Sequence, residues 1–417
     1  MLNKIYGDCK MHRPLLKIGI SPKIVLGNII TIVNVVVWYY YASAILKKAI
    51  DEIFPDYNTK FIFYCILFLS TAISLMISAL HLSKLTNHKF FLTIWILFGV
   101  FTSFTLVILK NPTTFYITFT LSLVGASFGL GLPEFMALFA DTTKDENRAR
   151  LSSVILLLIF ALILAFGLLM SANILLDALI LAIWRLSGLI GIPLFEDSLK
   201  HKETRRKPST VSPLKNRAVL LYLIPWYTFS LVNYLSWSIC SRIYGEDFIS
   251  SSVLLSGIIS GIFAIIAGFL ADSIGRKRTL IAGFISFGIG YAVLGINPSS
   301  IQAWYLYTVL DGISWGILGV IFLFTIWGDL SDGKSSEEYY AVGFLPYVIS
   351  GFLRVTLGPF IAEVVPSYAI LSFAAFFLFL AIFPLMYAPE TLPENVFRER
   401  KLRGYIEKAK RIREKFT

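Results

Sequence analysis

Five ionisable side chains lie inside long apolar stretches of this sequence. They are Glu134, Asp177, Arg185, Asp311 and Arg354. A charge within an apolar layer is costly, so such residues usually pair with one another, face a hydrated cavity or bind an ion or ligand. Carboxylates accept protons and arginine holds anions. These five are therefore candidates for a coupling site or for structural ion pairs.

The positions of Glu134, Asp177 and Arg185 are compatible both with a coupling site and with structural ion pairs. Glu134 follows Pro133 near one end of its stretch, where it can be partly hydrated. Asp177 lies near the start of its own stretch and can also be hydrated. Arg185 follows Asp177 by about 12 Å of helical rise, so the two do not form a simple ion pair.

No catalytic, nucleotide-binding or metal-binding pattern accompanies these charges. The three cysteines lie far apart, and the four histidines lack the spacing of metal ligands. We therefore predict a protein that is not an enzyme and that uses no metal or cofactor.

The elements that must position these charges are membrane helices. Of the 417 residues, 56% are hydrophobic and 15% are charged, which excludes an ordinary soluble domain. Apolar stretches of about twenty residues, the length that crosses a bilayer, recur along the chain. We identify them at 24–46, 60–80, 90–109, 114–139, 149–171, 174–195, 217–240, 251–270, 279–296, 302–327, 340–362 and 368–388. The predicted fold class is an all-α polytopic membrane protein with twelve transmembrane helices.

The basic residues between these stretches are unevenly distributed. The net charge is +11, and most of the 37 lysines and arginines precede the first stretch or lie in every second loop. The positive-inside rule then places both termini in the cytoplasm of a multi-pass cell-membrane protein. This explains the basic charge without nucleic acid. Residues 1–23 lack the pattern of a cleaved signal, so we expect the first stretch to remain as an anchor.

A repeat divides the stretches into two sets of six. Segments 38–39, 80–90 and 140–143 match segments 226–227, 268–278 and 328–331 at one common offset. Matches at a fixed offset indicate duplicated halves. The predicted domains are a cytoplasmic N-terminus (1–23), a first six-helix half (24–195), a cytoplasmic linker (196–217), a second six-helix half (218–388) and a cytoplasmic tail (389–417).

The tail combines many basic residues with an apolar stripe. Leu402, Tyr405, Ile406, Ala409 and Ile412 recur at helical spacing. A basic amphipathic helix binds the anionic lipids of the inner leaflet, which we predict here, or alternatively a partner protein.

The loop between the eighth and ninth stretches carries a specific motif. From Gly268 to Arg278 it is GFLADSIGRKR, with glycines, an acid and three bases at set offsets. It resembles the loop signature of the major facilitator superfamily (MFS) of secondary transporters. The resemblance implies two six-helix halves that alternate access to a site between them.

The resemblance also implies a cytoplasmic gate, because in this family each such loop faces the start of a helix from the other half. The first predicted cluster contains Gly268, Asp272, Gly275 and Arg276 with Arg148 and Arg150 of the fifth stretch. In the first-half copy of the loop, Lys84 occupies the position that Asp272 occupies in the second-half copy. A cluster of opposite polarity is therefore predicted from Lys84, Lys89, Glu337 and Glu338. The alternative is a set of ordinary solvated charges at helix ends.

Two further segments resemble different branches of the superfamily. Segment 140–150, ADTTKDENRAR, resembles a motif of drug and proton antiporters. Segment 389–394, PETLPE, resembles the ending of sugar porters and organic-ion transporters. Both support the superfamily, and together they leave the substrate open.

In the family fold the first, fourth, seventh and tenth helices line the substrate cavity. The predicted cavity residues are Asn34, Trp38 and Tyr41 of the first stretch and Trp226, Tyr227, Ser230 and Asn233 of the seventh. Aromatic rings with amide and hydroxyl groups suit a polyhydroxylated or amphipathic neutral solute. The alternative is that the aromatic residues anchor their helices at the membrane interface.

Neither the first nor the seventh stretch carries an acid. Coupling to protons would therefore use Asp311, Glu134 or Asp177, and without such coupling the protein would be a uniporter. Gly312 opens a small-residue face at which another helix or a ligand can approach closely. In the family fold Asp311 and Arg354 lie on neighbouring helices, and we predict that they neutralise each other as a structural pair or as a substrate- or proton-linked pair.

These patterns predict transport of a small organic solute, such as a sugar, by alternating access, with or without proton coupling. Export of amphipathic drugs is the alternative within the class. From another class, a non-transporting membrane sensor is favoured by the degenerate first-half loop and disfavoured by the retained intramembrane charges. The expected partners are the solute, protons if transport is coupled, and membrane lipids, and we expect a monomer.

Overall fold

The computed structural model describes residues 21–81, 88–110, 113–170, 173–195, 212–331 and 335–393, together with residues 405 and 409. Almost all of these residues are helical, and none of them forms a strand. Most of the predicted N-terminal segment, linker and tail lie outside these ranges.

Eleven helices in the described ranges are each long and apolar enough to cross a bilayer, and a bent pair supplies a twelfth crossing. The first six are α1 (Pro22–Ile53), α2 (Tyr57–Leu80), α3 (His88–Leu109), α4 (Thr114–Thr142), α5 (Asp145–Leu169) and α6 (Ile174–Phe195). The second six are α7 (Arg217–Gly245), α8 (Asp247–Ile274), α9 (Arg276–Ile296), α10 (Ile301–Ser331), α11 (Ser336–Val355, continued by Leu357–Val364) and α12 (Ser367–Tyr387). The predicted all-α fold of twelve membrane helices is confirmed.

Three helices of the second half depart from a regular α-helix. The first part of α7 ends at Val232 and the helix resumes at Leu235, while α11 bends by 53° after Val355. α10 contains a π-helical segment at Gly319–Thr325, and such segments often occur at functional sites. The hydroxyl of Tyr291 lies 2.9 Å from the Val232 carbonyl oxygen, which provides a partner for a backbone acceptor beside the break in α7.

The two halves contact each other mainly along two helix pairs, α5 with α8 and α2 with α11. Glycine allows the close approach of the first pair, because a Cβ on Gly268 would lie 2.5 Å from Ser153 Oγ of α5. Within the second half, a Cβ on Gly316 would lie 2.7 Å from the Ser260 carbonyl oxygen of α8. The small-residue face that begins at Gly312 therefore packs against a helix.

We call the end of the bundle where α8 meets α9 the cytoplasmic end, following the charge asymmetry.

Candidate functional site

A network of buried charges joins the two halves at the cytoplasmic end. Oδ2 of Asp272, a residue of α8, lies 3.2 Å from Nε of Arg150 on α5. The two side chains form an ion pair, but these atoms are not aligned for a hydrogen bond. Its Oδ1 accepts a hydrogen bond of 3.0 Å from Arg276 Nη1. The side chains of Asp272 and Arg276 are fully buried. The predicted contact between Asp272 and Arg150 is therefore present.

Arg148 makes a different contact from the one predicted. Its guanidinium pairs with Asp329 of α10, and its Nη1 lies 2.8 Å from Asp145 Oδ1 of its own helix. Asp329 also accepts a hydrogen bond of 3.1 Å from Arg276 Nε. The expectation that Arg148 meets Asp272 was wrong because Asp329, two helices further along the chain, takes its place. We call Arg148, Arg150, Asp272, Arg276 and Asp329 the cytoplasmic network.

The turn before α9 explains why glycine is needed at 275. Gly275 has a φ of 105°, which L-residues rarely adopt, and a Cβ there would lie 2.3 Å from Oε2 of Glu390. Glu390 accepts a hydrogen bond of 2.8 Å from the Arg276 backbone N–H and one of 3.2 Å from that of Lys277. Its carboxylate thus caps the positive end of α9. The loop motif and the PETLPE segment, which lie far apart in the sequence, are thus in contact.

The equivalent region of the first half contains a histidine and a glutamate. Nδ1 of His88 lies 2.6 Å from Oε1 of Glu134, and both residues are about 1% exposed. The expectation that Glu134 is partly hydrated was wrong, because α3 covers it. Lys84 lies outside the described residues, so the second predicted cluster with Lys89, Glu337 and Glu338 remains a prediction.

The residues of α1 that were expected to line a cavity point into their own half. The Asn34 side chain accepts a hydrogen bond of 3.0 Å from Arg185 Nη1, and Trp38 Nε1 donates one of 2.7 Å to Ser103 Oγ. The Tyr41 hydroxyl donates to the backbone of α5. All three side chains are buried, so the expected cavity face of α1 is a polar core face.

Arg185 occupies an aromatic cage at this face. Its guanidinium carbon lies 4.2 Å from the ring centre of Trp95 and 5.4 Å from that of Trp38. Only 1% of the residue is exposed, and Nε and Nη2 have no hydrogen-bond partner. A Cβ on Gly99 would lie 2.4 Å from Arg185 Nε, so glycine makes the room for the guanidinium. Among the described residues, aromatic faces and not an acid surround this cation.

The predicted residues of α7 divide between the core and a partly accessible face. Trp226 is fully buried, stacks on Phe322 at 4.7 Å and donates a hydrogen bond of 2.8 Å to the Gly343 carbonyl. Ser230 is also buried, whereas Tyr227 is half-buried. Asn233 lies in the break of α7. Trp226 and Ser230 therefore belong to the core of the second half.

The break in α7 is linked to an accessible surface between the halves. Asn233 Oδ1 accepts a hydrogen bond of 3.2 Å from Trp315 Nε1, and the Trp315 ring lies 6.5 Å from that of Tyr347. Tyr347 of α11 lies close enough to Tyr40 of α1 and to Arg354 for their charged forms to interact. Tyr40 is 45% exposed and Tyr347 is 36% exposed. We call Tyr40, Trp315, Tyr347 and Arg354 the interhalf surface.

The predicted pair of Asp311 and Arg354 does not form. Asp311 is 1% exposed and accepts a hydrogen bond of 2.5 Å from Ser256 Oγ of α8. Arg354 is exposed near the bend in α11. The prediction was wrong because Asp311 faces α8, while Arg354 shares the surface of Tyr347. Asp177, the remaining candidate, is a buried residue near the start of α6.

The outer end also carries contacts between the halves. The Tyr57 hydroxyl donates a hydrogen bond of 3.1 Å to the Thr356 carbonyl at the bend in α11. The ring of Phe352 lies 4.9 Å from that of Phe68 and 5.9 Å from that of Phe61, both on α2. Polar and aromatic contacts thus hold α2 to α11, whereas buried ion pairs hold α5 to α8 and α10.

No family model matches this chain, and no curated protein matches it. Solved structures of transporters do match. The structure of the human organic anion transporter MFSD10 (TETRAN) is 12% identical, covers 90% of this chain and 100% of its own, and gives a TM-score of 0.62. The proton:xylose symporter XylE is 14% identical, covers 88% of this chain and 96% of its own, and also gives 0.62.

The E. coli fucose:proton symporter FucP is 9% identical, covers 87% of this chain and 98% of its own, and gives a TM-score of 0.62. Three similar structures of this extent decide the architecture. The chain has the MFS transporter fold. The fold that the 268–278 loop motif implies is thus confirmed, and it covers most of the chain.

Within the MFS fold, sequence patterns missed four of the residues described above. Asp329 was noted only as a member of a repeated segment, although its first-half counterpart Asp141 ends a helix in the same way. His88 lay in a degenerate loop copy, and Tyr40 and Tyr347 had no motif around them. The repeat could have identified Asp329, because an acid recurs there at the end of both equivalent helices.

Proposed function

We propose that this protein moves a small organic solute across a membrane by alternating access, with 24–195 and 218–388 as the two moving halves. The cytoplasmic network carries this proposal. It contains two ion pairs between the halves, Arg148 with Asp329 and Arg150 with Asp272, and opening the cytoplasmic end requires these pairs to separate. Such a network suits a two-state gate, because truncating one partner of a buried pair costs about 3–5 kcal/mol.

The interhalf surface supports a polar cargo. Tyr40 and Tyr347 present phenol groups, Trp315 presents an indole ring, and Arg354 presents a guanidinium. These groups suit a solute that carries hydroxyls or a negative charge. Sugar symporters and an organic anion transporter are among the solved structures with this fold. We propose a sugar or a small organic anion as the cargo.

Uptake into proteoliposomes tests this proposal. Purified protein is reconstituted, and uptake of radiolabelled D-xylose, L-fucose and succinate is compared with that of protein-free liposomes. We expect saturable uptake of at least one of the three. Uptake at the protein-free level for all three, from protein shown to be folded by thermal unfolding, would contradict the proposal and favour a sensor.

Two tyrosine variants identify the site of recognition. Tyr347→Phe removes a phenol from the interhalf surface and should raise the KM of the transported solute. Tyr387→Phe makes the same change at a residue that is 74% exposed at the end of α12, and should leave uptake unchanged. Equal KM values for both variants would move recognition away from the interhalf surface.

A further inference from the structure

Asp311 differs from other buried carboxylates of this protein in the charge of its partners. Asp272 and Asp329 each contact arginines, and Glu134 contacts His88. Around Asp311, by contrast, no basic nitrogen of the described residues lies within ion-pair distance, and its hydrogen-bond partners are hydroxyl groups.

The position of Asp311 makes an unpaired charge costly. It lies ten residues into α10, about 15 Å along the helix from its first residue. The close packing of Gly312 and Gly316 against α8 seals it, and only 1% of the residue is exposed. A carboxylate at this depth without a counter-charge is strongly disfavoured relative to its neutral, protonated form. A conformation that lets water reach Asp311 would favour the charged form.

Each helix packed against Asp311 contributes hydroxyl groups. Ser256 of α8 donates to Oδ2 at 2.5 Å, and the hydroxyl of Tyr307, one turn earlier on α10, lies 3.3 Å from Oδ1. Ser236 of α7 lies 2.6 Å from the Tyr307 hydroxyl. From α9, the phenol of Tyr291 faces the same cluster. Among the described residues, Tyr307 and Tyr291 are the titratable groups that face Asp311.

These hydroxyls connect Asp311 to the interhalf surface. Ser236 follows directly after the break in α7, where Asn233 bonds to Trp315. Trp315 in turn lies one turn beyond Asp311 on α10 and borders Tyr347. A change in the ionisation of Asp311 can therefore alter the interhalf surface through the break in α7. The same hydroxyls offer a hydrogen-bonded route for a proton.

We propose that Asp311 is a proton-binding site that couples proton movement to solute transport. A proton adds to a carboxylate oxygen when the site opens to one side of the membrane, and it leaves from the resulting carboxylic acid when the site opens to the other. The protonated group becomes a hydrogen-bond donor, so its bonds to Ser256 and Tyr307 rearrange on each cycle. The coupling rests on the proposed transport function, whereas the proton site does not.

Infrared difference spectroscopy tests the proton site without any solute. Purified protein is titrated with pH, and the C=O band of protonated carboxyl groups is followed. We expect a band that is lost in Asp311→Asn and retained in Glu134→Gln, a matched change at another buried carboxylate. A spectrum of Asp311→Asn that equals that of the unchanged protein would overturn the proposal.

Two milder variants keep the test decisive if Asp311→Asn does not fold. Ser256→Ala and Tyr307→Phe each remove one donor to the charged carboxylate. Each should move the pH at which the band disappears upward by about one unit, as expected for the loss of one hydrogen bond. An unchanged titration in both variants would also overturn the proposal.

Coupling is tested in proteoliposomes that contain the pH dye pyranine. Addition of D-xylose, L-fucose or succinate, whichever is taken up, should acidify the lumen with the unchanged protein and not with Asp311→Asn. Exchange of labelled for unlabelled solute should persist in Asp311→Asn, because exchange needs no net proton movement. Lumen acidification that survives in Asp311→Asn would overturn the coupling. Absence of all uptake with an intact infrared band would instead refute the proposed transport alone.

Discussion

The two repeated loops at the cytoplasmic end have different chemistry at equivalent positions. In the second half Arg276 belongs to the cytoplasmic network, which reaches α5 of the other half. In the first half His88 takes the equivalent position and contacts Glu134 of its own half. In the second half this position thus takes part in the contacts between the halves. In the first half it joins α3 to α4 within one half. The charged contacts at the cytoplasmic end are therefore asymmetric, and the ion pairs between the halves involve α5.

A second difference lies within the membrane. The first half buries Arg185 between tryptophan rings, and the second half buries Asp311 among hydroxyls. Among the described residues, neither has an opposite charge within ion-pair distance. A guanidinium cannot lose its proton in a protein, whereas a carboxyl group can gain one. The first half therefore holds a permanent charge, and the second half holds one that can change.

The variant that tests this asymmetry with the largest expected effect is Asp329→Asn. The change leaves Arg148 and Arg276 buried against a neutral amide, and we expect a loss of about 3–5 kcal/mol in the free energy of the closed cytoplasmic end. Thermal unfolding and amide hydrogen exchange at the cytoplasmic ends of α5 and α8 measure it. Asp247→Asn, at an exposed position beyond the network, is the control and should change neither.

An Asp329→Asn variant that unfolds and exchanges like Asp247→Asn would contradict a stabilising role of the network. The gate would then depend on apolar contacts between the halves. The comparison of the two loops would in that case describe only local packing.

Gly275→Ala should have the next largest effect. A positive φ costs a non-glycine residue about 1–3 kcal/mol, and the new Cβ would also displace the Glu390 carboxylate that caps α9. Thermal unfolding should show this loss. Gly351→Ala, where a Cβ meets nothing within 4 Å in a helix, is the matched control and should be neutral or stabilising by up to about 1 kcal/mol.

The double variant Gly275→Ala with Glu390→Ala separates the two causes. It removes the overlap and keeps the backbone strain. If it is as stable as Glu390→Ala alone, backbone strain contributes nothing and the prediction for Gly275 needs revision.

Trp95→Phe tests how the first half holds its permanent charge. Phenylalanine keeps a ring beside Arg185 but attracts a cation less strongly, and it loses the 2.5 Å hydrogen bond from Trp95 Nε1 to the Ser127 carbonyl. We expect a loss of about 1–2 kcal/mol in thermal unfolding. Phe101→Leu, at a 54% exposed position of the same helix, should cost less. Equal losses would show that the aromatic cage does not stabilise Arg185.

Much of the fold could be predicted from the sequence, because apolar length and loop charge respond directly to the bilayer. The loop motif likewise predicted the contact of Asp272 with Arg150, since both positions follow from a topology that the motif implies. Helical periodicity could not show which neighbour a face contacts. Asn34 and Trp38 do share one face of α1, yet that face packs inside the first half.

The remaining failures concern contacts between residues far apart in the chain. The sequence places Arg185 and Asp311 in the membrane but does not show that rings surround one and hydroxyls the other. The expected neutralisation by Arg354 rested on the cost of two buried charges. That cost is smaller for Arg354, whose side chain is exposed near the bend in α11.

The smallest expected effect belongs to Glu134→Gln in the first-half loop region. The amide oxygen of glutamine can still accept a hydrogen bond from His88, so we expect a loss of only about 1 kcal/mol in thermal unfolding, well below that of Asp329→Asn. Cytoplasmic hydrogen exchange of α5 and α8 should not change, because the contact stays within one half. A loss as large as that of Asp329→Asn would show that His88 carries a charge. The two loops would then hold ion pairs of equal strength and differ only in which helices those pairs join.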